Sequence, residues 1–513
     1  MPHRREMTEV RALPGVLLTI LAAGCAIGPT YRRPPVDVPP AWRAPSAADD
    51  SLRPFFDSLR AAGDSASRAA PDTAVRPVMS DTTPRALLLP DSAVGLGWFT
   101  LFRDTVLQRL VVTAVRENRD VRTAVASIDE FRAQYGIARG ALLPLVTGNA
   151  QAGTNKIVFA GGAPVSFDVW KATADLSWEL DFWGRLRRGT EAARADFLAR
   201  EESERAVVLS LVSDVATAYL ELRELDQDLA IARRTMESRQ ETLRLARRRF
   251  QQGLISELDV RQFEAQVADP AARVADFDRQ VAQKENQLSI LLGHHPEAVP
   301  RGRPLADVLS TIEVPAALPS TLLERRPDVR QAEDQLHAAT ARIGATEAAI
   351  FPRFTISGEI GTQGSKASQL FGANSQIHQF FAGISFPLFA GGQLTNAVKV
   401  ARARAEQARA QYEQAVLVAL QETQDALVAL RASRDQLAAQ HLQVTALRQA
   451  LALATKRYEN GISSYLDVLD VQRSLFTAEL SAAQAQRQEL VAAVQLYKAL
   501  GGGWTDESAP RPR

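Results

Sequence analysis

Asp467 and Asp470 are the residues of this 513-residue chain best placed to act through charge. They stand three apart in L-D-V-L-D, a spacing that puts both carboxylates on one face of a helix. Such a pair attracts cations, and several pairs around one axis would line a cation-attracting constriction. The plainer alternative is a helix start, where negative charge suits the dipole. Catalytic patterns are missing from the sequence. Six histidines are scattered, and His294-His295 sit between Gly293 and Pro296 with no matching Cys/His/carboxylate spacing nearby. There is no G-x-S-x-G, phosphate loop or dinucleotide fingerprint. The expectation is a protein that is not an enzyme and carries no metal or dissociable cofactor.

Cys25, the only cysteine, suggests covalent chemistry of another kind. Arg4, Arg5 and Arg11 precede an apolar run from Leu13 to Ala23, which ends in L-A-A-G-C. A basic start, a short apolar core and small residues before the break are signal-peptide features. The cysteine after Ala23-Gly24 resembles a bacterial lipobox, with Ala22 in the usual branched position. Acylation of Cys25 is therefore expected after removal of residues 1–24, and lipid chains would hold the N-terminus at a membrane face. Ala26 follows, so the aspartate that retains many bacterial lipoproteins at the inner membrane is absent. A lone cysteine also excludes an intrachain disulfide.

Sixty Lys+Arg against 59 Asp+Glu leave a formal net charge of +1, which gives no footprint for nucleic acid. No internal run approaches the roughly 20 apolar residues of a spanning helix. If the chain crosses a membrane, it does so with strands. Residues 25–95 read as an extended N-terminal segment, rich in proline after Cys25 and in Ser, Asp, Ala, Arg and Pro from about Ser46 to Ala93.

The elements that position these residues come in duplicate. R-F-Q-Q-G-L-I-S-E-L-D-V (Arg249 to Val260) matches R-Y-E-N-G-I-S-S-Y-L-D-V (Arg457 to Val468), and their glycines, Gly253 and Gly461, stand 208 residues apart. The offset holds without a gap from Asp120-Val121-Arg122 against Asp328-Val329-Arg330 to Leu292-Gly293 against Leu500-Gly501. The organisation expected is a first repeat over 96–300, a second over 301–503 and a tail over 504–513.

In the first repeat, Leu211, Val215, Ala218, Leu222, Leu225, Leu229, Ala232 and Met236 recur at alternating steps of three and four, and Leu243, Ala246 and Phe250 continue the series; in the second, Val416, Ala419, Leu430, Leu437, Val444, Leu447, Leu451, Ala454 and Tyr458 stand in register with it. Arg239 is the one polar interruption. This seven-residue pattern predicts long supercoiled helices; one from near Arg187 to Phe250 would measure about 96 Å at 1.5 Å per residue. Gly253 and Gly461 end these helices in turns that need positive φ. With Ser256 and Ser464 they make the tips of two antiparallel hairpins. Pro270 is expected to bend the first returning helix, whereas its counterpart is Ala478.

Between the helices the period is two. Val146–Ala152, Trp170–Trp178, Phe354–Ile360 and Phe380–Phe389 alternate apolar with polar or small residues, each near the length of a transmembrane strand. An open four-stranded sheet cannot sit in lipid, because its edges leave backbone groups unpaired. Single-chain barrels begin at about eight strands, and a dimer's eight would be nearly filled by side chains. A homotrimer closing twelve strands is therefore expected. The fold class is mainly α with a membrane β-barrel.

The chain resembles the TolC-like outer-membrane efflux proteins, in the lipidated branch that serves resistance-nodulation-division pumps. The resemblance rests on L-A-A-G-C with G-P-x-Y-x-x-P-P, W-F-T-L-F-R-D from Trp98, E-L-D-F-W-G-R from Glu179, F-P-L-F-A-G-G from Phe386 and Y-E-N-G-I-S-S-Y-L-D-V-L-D from Tyr458. It implies a trimer with a twelve-stranded barrel in the outer membrane and a twelve-helix tube crossing the periplasm. It also implies a gate closed by the second hairpin, with Tyr458, Asp467 and Asp470 as gate residues, and a periplasmic adaptor meeting the tips at Gly253, Gly461, Ser256 and Ser464. Partners would be that adaptor, an inner-membrane pump and outer-membrane lipid. Ser463 stands where some members carry an arginine that ties the closed state. Two other functions compete: an outlet for type I secretion of polypeptides, and a coiled-coil envelope scaffold without a channel. The scaffold accounts for the heptads but not for the alternating segments.

Overall fold

A computed structural model describes residues 26–36, 38–39, 42, 54–55, 57–58, 104–158, 164–308 and 322–502. The signal segment, Cys25, most of 46–93, Trp98 to Arg103 and the tail from 503 lie outside the described residues. The elements are α1 (Thr105–Glu117), α2 (Arg119–Gly140), β1 (Leu145–Ile157), β2 (Val165–Leu180), α3 (Arg185–Gln251), α4 (Glu257–Leu292), α5 (Leu322–Arg325), α6 (Pro327–Ala348), β3 (Arg353–Gly364), β4 (Gln376–Ser385), α7 (Gln393–Glu459) and α8 (Tyr465–Ala499). Both ends of α3 and α7, and of α2 and α6, differ by 208 residues. The duplication is thus structural as well as sequential. The chain condenses into two compact units that each take matching pieces of both repeats. One is built from the stretch up to Val36 with 126–202 and 330–415, the other from 37–125, 203–329 and 416–513.

The first unit holds the sheet, four antiparallel strands in the order β1-β2-β3-β4. Its register keeps the alternation in phase across all four. Val146, Leu176, Gly358 and Phe380 align on one face, as do Ala174, Ile360, Trp178, Ile356 and Ala382; Thr147, Asp175, Glu359 and Gln379 align on the other. On that second face Lys171 pairs with Glu359 at 2.7 Å, and Asn149 donates to Asp175. A one-residue slip anywhere would put these charges among the Phe and Ile side chains.

One expectation about the strands is corrected. β4 ends at Ser385, not Phe389. Pro387 has no N–H for a ladder, and Phe386, Leu388 and Phe389 fall in the connection to α7, with Phe389 92% exposed. The strands also run longer than their alternating cores, β2 reaching 16 residues.

The E-L-D-F-W-G-R segment makes the joint from β2 to α3. Glu179 receives the Arg185 guanidinium at 2.9 and 2.6 Å. Asp181 accepts from the backbone N–H of Leu186 and Arg187 in the first turn of α3, where a carboxylate also suits the dipole. Trp183 donates from Nε1 to Pro352 O at 2.8 Å. Ala26 packs here too: a Cβ on Gly184, at φ +80°, would stand 2.7 Å from that of Ala26. The following G-P-T-Y-R-R segment is tied down by Glu333, which accepts from the Tyr31 hydroxyl at 3.1 Å and from the Arg33 guanidinium.

The second unit holds the main apolar core, with Leu107, Val111, Val215, Leu220, Leu222, Leu288, Val308 and Val494 buried together. Asp104, the last residue of the W-F-T-L-F-R-D motif, is 1% exposed. It caps α1 through Val106 N at 2.8 Å and accepts from the Tyr219 hydroxyl at 2.9 Å and Arg303 N at 2.9 Å. Burial and this carboxylate hold the Tyr219 hydroxyl far above its ordinary pKa. Asp104 therefore joins three stretches of chain that are distant in sequence.

Candidate gate at the hairpin tips

Each hairpin turns through the same cap. Gly253 N–H reaches Phe250 O at 2.8 Å and Leu254 N–H reaches Arg249 O at 2.9 Å; Gly461 and Ile462 repeat the bonds to Tyr458 and Arg457 at 2.9 and 2.8 Å. Both glycines lie at φ +71°, which a side chain would strain. The two tips present apolar residues at equivalent places, Leu254 and Leu258 on the first and Ile462 and Leu466 on the second, all well exposed.

Beyond the turn the two copies use the same residues differently. Ser256 and Asp259 close a capping box at the start of α4. Ser464 caps α8 through Leu466 N at 3.1 Å, but Asp467, the counterpart of Asp259, closes no box and stays exposed. Asp467 makes no ion pair among the described residues. Asp470, also exposed, lies 2.9 Å from Arg473, which offsets part of its charge. Asp259 and Asp467 both stand in the first turn of their helices, where negative charge suits the dipole; only Asp259 is also held in a capping box, while the Asp467 carboxylate stays exposed.

Tyr458 joins the two hairpins. Arg249 Nη1, on the last turn of α3, donates to its hydroxyl at 2.6 Å, and the guanidinium also lies 5.8 Å from the ring centre. Tyr465 packs edge-on against Tyr458 at 4.9 Å and meets Phe263 at 4.6 Å with the rings tilted by 43°. Burial raises the pKa of the Tyr465 hydroxyl. Leu254 and Ile462 fall within the tips expected from the sequence, Leu466 is exposed although its spacing suggests the returning apolar seam, and Arg249, Arg473 and Leu258 had no expected part at the tips. Arg249 was visible as the twin of Arg457 in the repeated R-[FY]-x-x-G motif. Its target lies 209 residues away, so only the folded pair of hairpins reveals the bond.

Among the described residues no helix is long and apolar enough to span a membrane, and no cluster of side chains could hold a metal ion. A sheet whose middle rows set mainly apolar residues on one face and mainly polar ones on the other, in a chain with duplicated long helical hairpins, defines the protomer of a membrane channel whose spanning parts are strands. The chain belongs to the outer membrane efflux protein family, whose model matches it twice, over residues 110–294 and 318–502. It is 32% identical over 500 residues to the toluene efflux pump outer membrane protein TtgF of Pseudomonas putida, covering 96% of this chain and 97% of that one. It is 30% identical to the cation efflux system protein CusC of Escherichia coli, covering 97% of this chain and all of the relative. The structure of the open state of the Neisseria gonorrhoeae MtrE outer membrane channel superposes with a TM-score of 0.77 at 31% identity, covering 93% of this chain and 98% of that one. The family's role is that of an efflux duct and not of an enzyme, and its place is the outer membrane.

Proposed function

We propose that three copies of this chain close a twelve-stranded barrel and form the exit duct of a tripartite efflux system. The duct passively conducts small molecules or ions delivered by an inner-membrane pump of the resistance-nodulation-division type through a periplasmic adaptor. The observation that carries this reading is the in-phase apolar face of an open four-stranded sheet. Among the described residues, strands β1 and β4 each have one unpaired edge, which lipid does not tolerate and which adjoining copies would satisfy. The exposed apolar residues of the tips support contact with an adaptor. Relatives named for toluene and for cations fit a duct that leaves selection of cargo to the pump. The mass of the detergent-purified particle tests the assembly: three chains are expected, and a monomer or dimer contradicts it.

Acylation of Cys25 belongs to the same proposal. Ala26 is seated at Gly184, between the end of β2 and the start of α3. That is where a barrel strand leaves lipid, so acyl chains on the preceding residue would enter the membrane beside it. Cys25→Ser is expected to abolish uptake of labelled palmitate; a variant that still takes it up ends this part of the reading.

A further inference from the structure

Pro270 lies inside α4, where it brings no N–H. The carbonyl four residues earlier, Gln266 O, is thereby deprived of its helical donor. Arg239 on α3 supplies one from its side chain, with Nη1 2.7 Å from Gln266 O. The guanidinium is 4% exposed, and its nearest carboxylate, on Asp269, stands 3.6 Å from Nη1. Nε and Nη2 are buried without a hydrogen-bond partner among the described residues. Phe476 of α8 offers its ring there, 5.6 Å from the guanidinium carbon.

The position is otherwise apolar. One cluster, formed by Leu225, Leu229, Ala232, Phe277 and Phe476, precedes it along the hairpin; another, formed by Leu243, Ala246, Val260, Phe263 and Leu469, follows it. A cation in such a seam loses much of its hydration, and burial lowers the pKa of Arg239 accordingly. The second hairpin provides the comparison. At the positions equivalent to Arg239 and Pro270 it has Leu447 and Ala478, which pack with Val444, Leu475 and Ala482 in an ordinary apolar cluster. The copies differ at both members of the pair together: arginine accompanies proline, and leucine accompanies alanine.

We propose that Arg239 is a positioning residue with two simultaneous tasks. It caps the carbonyl that Pro270 orphans, and it seats Phe476, so that the first hairpin holds the second at a fixed point twelve residues before the end of α3, about 18 Å along the helix. The first task stands on local geometry alone; the second rests on the second hairpin being the moving part of the gate.

The test uses the full-length trimer and five variants, R239L, P270A, R239L/P270A, F476L and Y458F, with thermal midpoint and planar-bilayer conductance as readouts. R239L is expected to lower the midpoint by roughly 2–5 °C, because Gln266 O is left without a donor. R239L/P270A, which recreates the Leu447–Ala478 pair, restores the N–H and recovers most of that loss. Its conductance nevertheless stays above the unmodified protein's, as does that of F476L, because both have lost the contact between guanidinium and ring. If R239L fails to fold and the double variant folds, the rescue supports the cap. A double variant no more stable than R239L, or equally unable to fold, overturns the cap. Unchanged conductance in both F476L and the double variant overturns the seat. If Y458F is silent too, the gate reading fails, but the thermal rescue still decides the cap.

Discussion

Tyr458→Phe and Arg249→Ala are each expected to raise the conductance of the reconstituted channel. The 2.6 Å bond from Arg249 to the Tyr458 hydroxyl holds the last turn of α7 on the last turn of α3. Both residues are half-buried, so water replaces the bond only in part. A charged hydrogen bond in such a setting contributes about 1–2 kcal/mol, which corresponds to roughly a 5- to 30-fold change in a two-state ratio. If the second hairpin closes the duct, loss of the bond shifts the population toward open by about that factor. Phe at 458 keeps the ring and its contact with Tyr465, so its effect isolates the hydroxyl. Single-channel recording in planar bilayers measures it. Open probability unchanged in both variants contradicts the assignment of Tyr458 to the gate.

The second large effect is on the sign of the ions admitted. Counting only Asp467, Asp470 and Arg473, each protomer brings one surplus negative charge to the tip, and the proposed trimer would set three of these around one axis. Charged rings of this kind select by sign. Asp467→Ala with Asp470→Ala leaves Arg473 alone, so the ring becomes positive. The double variant is expected to pass from cation to anion preference, with the tip loosened as both carboxylates are removed. Reversal potentials in a salt gradient read the change directly. A reversal potential and conductance equal to those of the unmodified protein would remove both aspartates from the gate.

Much of this was legible in the residues because duplication writes the same physics twice. Seven-residue periodicity located α3 to within about two residues, the 208-residue offset carried it to α7, and glycines 208 apart located both tips. Alternation located four strands, but it carried β4 on through Pro387 to Phe389. Side-chain period alone does not say where a ladder of backbone bonds stops. Ser256-x-x-Asp259 and Ser464-x-x-Asp467 look alike as text, yet only the first closes a capping box. Arg239 stood out as a break in an apolar seam, and Pro270 as a proline expected to bend its helix. The structure keeps Glu257–Leu292 as one helix around that proline. What joins the two is a bond to a backbone carbonyl, which side-chain patterns do not reveal. The bond between Arg249 and Tyr458 was hidden for a related reason, since each residue lies in its own copy of the repeat.

That strands from separate copies close a conducting duct is tested most directly by single-channel recording of the full-length protein in planar bilayers. Stepwise openings are expected, larger or more frequent in Tyr458→Phe. A purified, folded trimer that passes no current in either form would contradict the duct and leave a helical scaffold in its place.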